Sequence, residues 1–257
     1  MSSSARSSSS AARRSPHTDR PLTGTPKTCT IVRKAAGWYA HSAGETTDEA
    51  LPATGEAVGV DGGLTQFATR STGETSANPR HDRAAERRLR QAQRRVSRRV
   101  KGSKRRAKAR HLLAQAHRQV PRQRRDFHHK VARDLVNRFD AIAIADLNVR
   151  GMIRNHPLAK HSSDAGWYSF RMIISAKAAG AGRAVVAVNP AGTSQTCSAC
   201  GARVPQTLAV RWHSCPHCGC ELDRDHNAAI NIKRGAGSAF GEPLALATAQ
   251  NREPHPL

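Results

Sequence analysis

Acidic residues are scarce in this sequence: 19 Asp and Glu stand against 42 Lys and Arg, which gives a formal net charge of +23 over 257 residues. Aromatic side chains are scarce as well, at 4% of the chain. No apolar run approaches the roughly 18 residues that a membrane-spanning helix requires. The shortage of acids predicts a polyanionic partner, and the shortage of long apolar runs excludes a spanning helix.

Cysteines number only six, and the first 20 residues lack the apolar stretch of a secretory signal. A disulfide framework is therefore not expected, and the protein is expected in a reducing, cytoplasmic compartment. The Ser- and Arg-rich start of the chain, residues 1–26, predicts a disordered basic tail. The length allows one large domain or two small ones.

The positive charge is concentrated between residues 83 and 138, which hold 21 Lys and Arg but only three acids. Apolar residues recur at helical spacing on both sides of Lys101-Gly102-Ser103, so the block predicts a hairpin of two basic amphipathic helices. Pro121 is expected to kink the second helix because it lacks an amide N–H. A solvated helical face is the ordinary explanation for a charge run, but so large an excess of cations would repel itself without an anionic partner. The block is therefore predicted to contact nucleic acid.

Three short runs of apolar, β-branched residues predict buried strands at residues 57–63, 141–147 and 183–190. Residues 167–182 carry apolar side chains at helical spacing and predict a helix between the last two strands. Strands that alternate with helices predict an α/β core. A separate β-hairpin is expected ahead of this core, over residues 28–40.

Several ring side chains are given no functional role. Trp167, Trp212 and Phe127 could stack on bases, but their spacing favours core packing. His128 and His129 lie among arginines and lysines, which favours a position on the surface.

Four of the cysteines form two C-x2-C pairs that are separated by fourteen residues, and a glycine directly follows each pair. Such a turn points two thiolates at one centre, and glycine permits its tight backbone. The spacing is that of a zinc ribbon, since tetrahedral Zn²⁺ takes four such ligands, here Cys197, Cys200, Cys215 and Cys218. A chance cluster of buried thiols is the alternative. Three further residues could substitute as ligands but lie off the spacing: His213, His217 and Cys220.

Two carboxylates stand where metal-dependent hydrolases often place them. Asp61 directly follows an apolar strand and precedes two glycines, while Asp225 lies in the polar run just after the second cysteine pair. In isolation, an Asp before two glycines is more often a turn former, and the Asp and Asn residues around Asp225 are typical of a helix cap. Paired carboxylates that hold a divalent metal would suit phosphodiester hydrolysis in so basic a chain.

The order of these motifs resembles the OrfB/TnpB family of insertion-sequence transposase-associated proteins. The resemblance covers about residues 27–235 and is carried by VGVDGGLTQFAT, the Arg-rich block, FDAIAIADLNVRGM, TSQTCSACG and CPHCGCELDRDHNAAINI. It implies an RNase H-like (RuvC-type) nuclease core with an inserted basic helical hairpin and a zinc ribbon. It also implies cleavage of DNA directed by a guide-type RNA, in the bacterial cytoplasm at the nucleoid.

On this resemblance, Asp61 and Asp225 are the first and third catalytic acids and would hold Mg²⁺ or Mn²⁺. The second acid is missing, because Ala145 stands where the family pattern has a glutamate. Its neighbour Asp146 is expected to face the other side of the strand and so not to replace it. Only residues 27–55 resemble the family's N-terminal wedge-like β domain, which predicts a truncated copy.

The sequence therefore predicts six segments: a tail (1–26), a β remnant with a linker (27–55), a nuclease core (56–190) that contains the hairpin (83–138), a zinc ribbon (191–221), a last nuclease motif (222–240) and a second tail (241–257). The basic residues expected on nucleic acid are Arg87, Arg94, Arg98, Lys101, Lys104, Arg105, Arg106, Lys108 and Arg110. The expected function is that of a TnpB-like, RNA-guided DNA endonuclease impaired by Ala145. The alternatives are a nuclease-dead nucleic-acid-binding protein and a degenerate fragment, and the oligomeric state stays open.

Overall fold

A computed structural model of the chain describes residues 24–34, 37–207, 209–237 and 240. Residues 1–23 of the expected basic tail lie outside these described residues, and so does the whole of the expected second tail, residues 241–257. The chain divides into two compact units, residues 1–47 and 48–257. Within the described residues, no helix combines the length and the apolar character needed to cross a membrane.

The described part of the first unit is an antiparallel hairpin of β1 (Thr25–Lys34) and β2 (Gly37–Glu45). The hairpin expected over residues 28–40 is confirmed, and its strands are longer than predicted. Arg33 lies opposite Trp38 in the register, with its guanidinium 5.7 Å from the ring centroid. This cation–π contact lets two exposed side chains support the strand pairing.

The second unit is built on a five-stranded mixed sheet in the order β5-β4-β3-β6-β7. The three predicted strands become β3, β6 and β7, which run parallel to one another, while β4 and β5 add to the edge as antiparallel strands. A separate two-stranded ribbon of β8 and β9 follows. The strands are β3 (Ala57–Asp61), β4 (Gln66–Arg70), β5 (Thr75–Ala77), β6 (Ala141–Ala145), β7 (Ala184–Val188), β8 (Trp212–Ser214) and β9 (Glu221–Asp223).

In the described part of the chain, six helices accompany these strands: α1 (His81–Ser97), α2 (Lys104–Arg138), α3 (Val149–Arg154), α4 (His156–Ala165), α5 (Trp167–Gly180) and α6 (Arg224–Gly235). The predicted hairpin is α1 and α2, and its break falls where expected. Gly102 adopts a positive φ of 83°, and the Ser103 hydroxyl caps α2 by accepting from the Arg106 backbone N–H at 3.2 Å. Despite its missing N–H, Pro121 lies within one continuous helix.

The two faces of the sheet pack against different helices. On one face, the fully buried Val58 and Ile142 join a core with Leu135 of α2 and Ile174 of α5. On the opposite face, Ala143 packs with Ile232 of α6 and with the partly buried Ala145. Because side chains alternate along a strand, the even-numbered residues of β3 and β6 pack against α2 and α5, and the odd-numbered residues pack against α6.

Two expectations about ring side chains are wrong. His128 is 1% exposed, since it lies on the inward face of α2 and its Nε2 is 2.9 Å from the Ala165 carbonyl. Trp212 of β8 is 55% exposed and does not pack in a core. Core packing is confirmed for Trp167 and Phe127, which lie in or against the main cluster.

Candidate functional site

Asp61 ends β3 and is the first of the two candidate acids. The carboxylate lies at the carboxyl end of a parallel strand, the edge at which open α/β sheets place their sites. Burial, and after it the charge of Asp225, raises the pKa of Asp61 to about 7. A buried carboxylate beside a second acid forms a site that favours a bound cation.

Helix α6 brings Asp225 to the same edge, and two glycines make this approach possible. A Cβ at Gly59 would lie 2.1 Å from the Ala229 carbonyl oxygen, so only glycine lets the backbone of α6 rest on β3. A Cβ at Gly63 would lie 3.4 Å from Asp225 Oδ2, which places that carboxylate beside the turn after Asp61. Burial, followed by the charge of Asp223, raises the pKa of Asp225.

The helix-cap alternative applies to Asp223 and not to Asp225. The Asp223 carboxylate accepts from the backbone N–H groups of Asp225 at 2.8 Å and of His226 at 3.1 Å, and so caps α6. The His226 ring in turn lies 3.2 Å from the Ser71 carbonyl. These contacts fix the start of α6, and with it the position of the Asp225 carboxylate.

Ala145 lies beside Asp61, because β3 and β6 pair with Val60 opposite Ile144. Ala145 packs with the apolar residues that face α6, the helix that carries Asp225. Asp146 makes an ion pair with Arg171 of α5, on the other side. Among the described residues, no third acidic side chain lies close enough to Asp61 and Asp225 to share one metal ion with them.

The four predicted cysteines converge. Their Sγ atoms all lie within 4.8 Å of one another, with 3.6 Å between Cys197 and Cys218 and 3.6 Å between Cys200 and Cys215. Four thiolates at Zn–S distances of about 2.3 Å around a tetrahedral ion would have similar separations, so this donor set fits Zn²⁺. Burial opposes ionisation of Cys197, but hydrogen bonds led by the backbone N–H of Cys200 lower its pKa to about 5.

The two cysteine turns have the same backbone design. In each, the glycine N–H donates to the carbonyl of the first cysteine at 2.9 Å, from Gly201 to Cys197 and from Gly219 to Cys215. Both glycines have positive φ, 79° and 71°, which an L side chain rarely adopts. Of the three residues off the spacing, His213 is buried, Cys220 is partly buried and His217 is exposed, and none joins the four-sulfur cluster in the described structure.

A polar face of α6 ties the first cysteine turn to the helix that carries Asp225. Asn227, which is fully buried, accepts from the Ser198 N–H at 2.8 Å and donates to the Thr196 carbonyl at 2.8 Å. Asn231, four residues later, donates to the same Thr196 carbonyl at 2.6 Å. This connection was not predicted from the sequence, although two asparagines at i and i+4 among alanines indicate a polar stripe on a packed helix.

The basic hairpin presents an exposed cationic surface. Eight of the nine predicted contact residues are exposed, and no acidic side chain in the described residues pairs with any of the nine. Arg106 is the exception in burial: its Nη1 donates to the Arg99 carbonyl at 2.8 Å and joins the end of α1 to the start of α2. The base of the hairpin is held by Arg124, whose guanidinium bonds Asp82 of α1 at 2.8 Å and Asp164 of α4 at 3.0 Å.

Two family models match the chain. One, OrfB_IS605, described as a probable transposase, matches residues 41–156, and the other, described as a Cas12f1-like TNB domain, matches residues 167–232. The first therefore covers β3 and the basic hairpin, and the second covers the cysteine turns and most of α6.

Among curated proteins, a Streptomyces pristinaespiralis protein named, provisionally, as an RNA-guided DNA endonuclease is 41% identical over 85% of this chain and 56% of its own length. A similarly named protein of Escherichia coli (strain K12), InsQ, is 28% identical over 91% of this chain and 63% of its own. TnpB-like protein L79 of Acanthamoeba polyphaga mimivirus is 35% identical over 47% of this chain and 24% of its own. The chain thus spans less than two thirds of each of these relatives.

Two solved structures share the fold. A Cas12f1–sgRNA–target DNA complex aligns with a TM-score of 0.50 and 15% identity over 79% of this chain and 55% of the neighbour. A CRISPR-Cas12f ternary complex aligns with a TM-score of 0.53 and 18% identity over 76% of this chain and 41% of the neighbour. The expected α/β, RuvC-type fold is confirmed by these neighbours together with the mixed sheet.

Proposed function

We propose that this chain, which belongs to the OrfB/TnpB family of insertion-sequence transposase-associated proteins, carries the nuclease core of an RNA-guided DNA endonuclease and that Ala145 impairs its cleavage step. The protein would act in the bacterial cytoplasm at the nucleoid. Its partners would be DNA and a guide-type RNA, which are named for the relatives and structural neighbours.

The exposed cations of the hairpin support a nucleic-acid partner. Arginine donates in pairs to phosphate oxygens, and such contacts give affinity without reading sequence. Lys101, Lys104 and Arg105 cluster at the tip of the hairpin, where the described structure places no acid against them. The hairpin therefore offers exposed, unneutralised cations to a polyanion.

The carboxylates of Asp61 and Asp225 support a divalent cation as the cofactor, with Mg²⁺ or Mn²⁺ the ions that prefer such oxygen ligands. When bound, the cation would supply Lewis-acid stabilisation of a phosphoryl oxygen and a more acidic water. The residues present fit such an ion in part, because burial and a neighbouring acid raise the pKa of each carboxyl group, with Asp225 acting on Asp61 and Asp223 acting on Asp225. Zn²⁺ is proposed for the four cysteines, in a structural role.

The observation that carries the proposal is the position of Ala145. It lies next to Asp61 on the face that α6 covers, so a glutamate there would complete a three-acid site. Asp146 is turned to the opposite face and held by Arg171, so it does not compensate. The same observation favours, as the second candidate function, a protein that binds nucleic acid without cutting it.

The test is Mg²⁺-dependent cleavage of DNA by the purified protein with its co-purified RNA. Ala145→Glu is expected to gain cleavage over the wild type, and adding Asp61→Ala is expected to abolish that gain. Ala187→Glu is the matched control, since it adds the same charge at an exposed position of β7. If Ala145→Glu binds DNA but cuts no better than Ala187→Glu, the nuclease proposal fails and the binding function remains. Wild-type cleavage that is as fast as that of Ala145→Glu and that Asp61→Ala removes would contradict impairment by Ala145.

A further inference from the structure

A cavity of about 310 Å³ opens at the edge where β3 and β6 end, on the α5 side of the sheet. Phe67, Ile144 and Phe170, all buried, form part of its apolar lining. Its rim carries Arg150 of α3 and Tyr168 of α5. This volume is at the lower end for ligand sites, which suits one small, flat group better than a large molecule.

The cavity adjoins the candidate acids without sharing their carboxylates. Gly62 lines the cavity and directly follows Asp61, so the two positions are one Cα–Cα step of about 3.8 Å apart along the chain. Ala145, which stands beside Asp61, also lines it. The candidate acids lie on the α6 side of the sheet and the cavity on the α5 side, but both lie at the edge where β3 and β6 end, so a polynucleotide that crosses this edge with a phosphate at Asp61 would bring a neighbouring base to the cavity.

The lining has the chemistry that recognises an unpaired base. Tyr168 is 61% exposed in a chain with few aromatic residues, and a free ring face at a cavity rim is a stacking surface for any base. Arg150 is exposed and cationic, as a contact to the adjacent phosphate requires. The carboxylate of Asp146 also lines the cavity and, paired with Arg171, can accept from the amino group of a base.

We propose that this cavity takes one unpaired nucleobase of the DNA strand that is presented to Asp61 and Asp225. Tyr168 stacks on the base, and Arg150 contacts its backbone. The identity of the strand rests on the proposed function, but the binding itself requires no hydrolysis. The cavity therefore makes a contribution to affinity that depends on the base, whereas the basic hairpin binds through phosphate charge alone.

The experiment compares the affinity of the full-length protein for short single-stranded oligodeoxycytidine and for an abasic strand of the same length and charge. The wild type is expected to prefer the base-bearing strand by about tenfold, the effect of stacking one base. Tyr168→Ala and Arg150→Ala are expected to weaken binding, and Tyr168→Ala to remove most of the preference. The matched controls are Met172→Ala, exposed on the same helix as Tyr168, and Arg154→Ala, exposed on the same helix as Arg150.

Equal binding of the two strands by the wild type would overturn the proposal. So would a loss of the preference in the two controls equal to that in Tyr168→Ala. A strict preference for oligoribocytidine over oligodeoxycytidine would overturn the assignment to the DNA strand. Cleavage is measured separately with Ala145→Glu, so a failure of the nuclease proposal leaves a base preference detectable, and the two failures are distinguishable.

Discussion

At the four-cysteine cluster, four sulfur atoms converge from two matching turns, whereas at the end of β3 two carboxylates meet beside an alanine. The first centre has every ligand that a tetrahedral ion needs, and the second is one acid short of the family pattern. The two centres are nevertheless joined, since α6 carries Asp225 at its start and bonds the Cys197 turn through Asn227. The four-cysteine cluster is therefore complete as a ligand set, and its connection to the proposed metal site at Asp61 and Asp225 is preserved.

This difference shows that loss of one side chain can leave the scaffold of a site intact. Gly59, Gly63 and the Asp223 cap still position α6 against β3, although the pair they bring together lacks its third acid. The metal site should thus be weak because a ligand is missing and not because the fold is wrong. Each of the following changes tests one side of that contrast.

The largest effect is expected from Cys197→Ser. Removing one thiolate should abolish stoichiometric zinc retention and lower the free energy of unfolding by more than about 3 kcal/mol, because zinc binding stabilises such modules directly. Metal analysis and chemical denaturation measure both quantities. Cys29→Ser, at an exposed position in the first unit, is the matched control and should retain zinc. Retention of one zinc per chain by Cys197→Ser would contradict the four-cysteine assignment.

A smaller loss is expected from Asn227→Ala, which cuts the connection between the two centres. The change leaves the buried Ser198 N–H without its acceptor, which should cost about 2 kcal/mol of unfolding free energy. It should also weaken Mn²⁺ binding at Asp61 and Asp225, because the start of α6 loses its anchor. Asn137→Ala, at the exposed end of α2, is the control. If both variants keep wild-type stability and Mn²⁺ affinity, α6 is not positioned through the ribbon.

A gain in stability, in place of a loss, is expected from Asp61→Asn in metal-free buffer. The pKa of Asp61 is raised from 3.8 to about 7, so between these pH values the folded protein keeps a proton that the unfolded chain releases. The free energy of unfolding therefore falls as the pH rises from about 4 to 7. At pH 8 the variant should be about 1–3 kcal/mol more stable than the wild type, and near pH 4 the two should match. Thermal unfolding across this range measures the difference.

The control for this change is Asp126→Asn, an exposed carboxylate that pairs with Lys130 of the same helix. Its effect should stay within about 0.5 kcal/mol at every pH. An Asp61→Asn variant that is less stable than the wild type at pH 8 would show that the carboxylate is stabilised in the fold, contrary to its burial beside Asp225.

Features set by local pattern could be predicted from the sequence. The apolar runs of β3, β6 and β7, the cysteine spacing and the break at Gly102 each depend on neighbouring residues only. Strands β4 and β5 were missed because their segments are short and carry polar residues, and because they are held by strand pairing, β4 with β3 and β5 with β4. His128 was misplaced because its charged neighbours lie on other faces of α2.

Features that join distant segments could not be predicted. The bonds from Asn227 to Ser198 and Thr196 connect residues about thirty positions apart, and one sequence gives no sign of that pairing. The cavity likewise combines residues from β3, β6, α3 and α5. The opposite facing of Ala145 and Asp146 was predictable, because alternation along a strand is a local rule.

The affinity of zinc-loaded protein for Mn²⁺, measured by calorimetry on the wild type and on Ala145→Glu, tests the central claim most directly. A third carboxylate beside Asp61 should tighten Mn²⁺ binding by at least about tenfold, since affinity for hard cations grows with the number of charged oxygen ligands. That result would show a site complete in every respect but one side chain. Equal affinity in the two proteins would contradict the account, because Ala145 would then not be the missing ligand position.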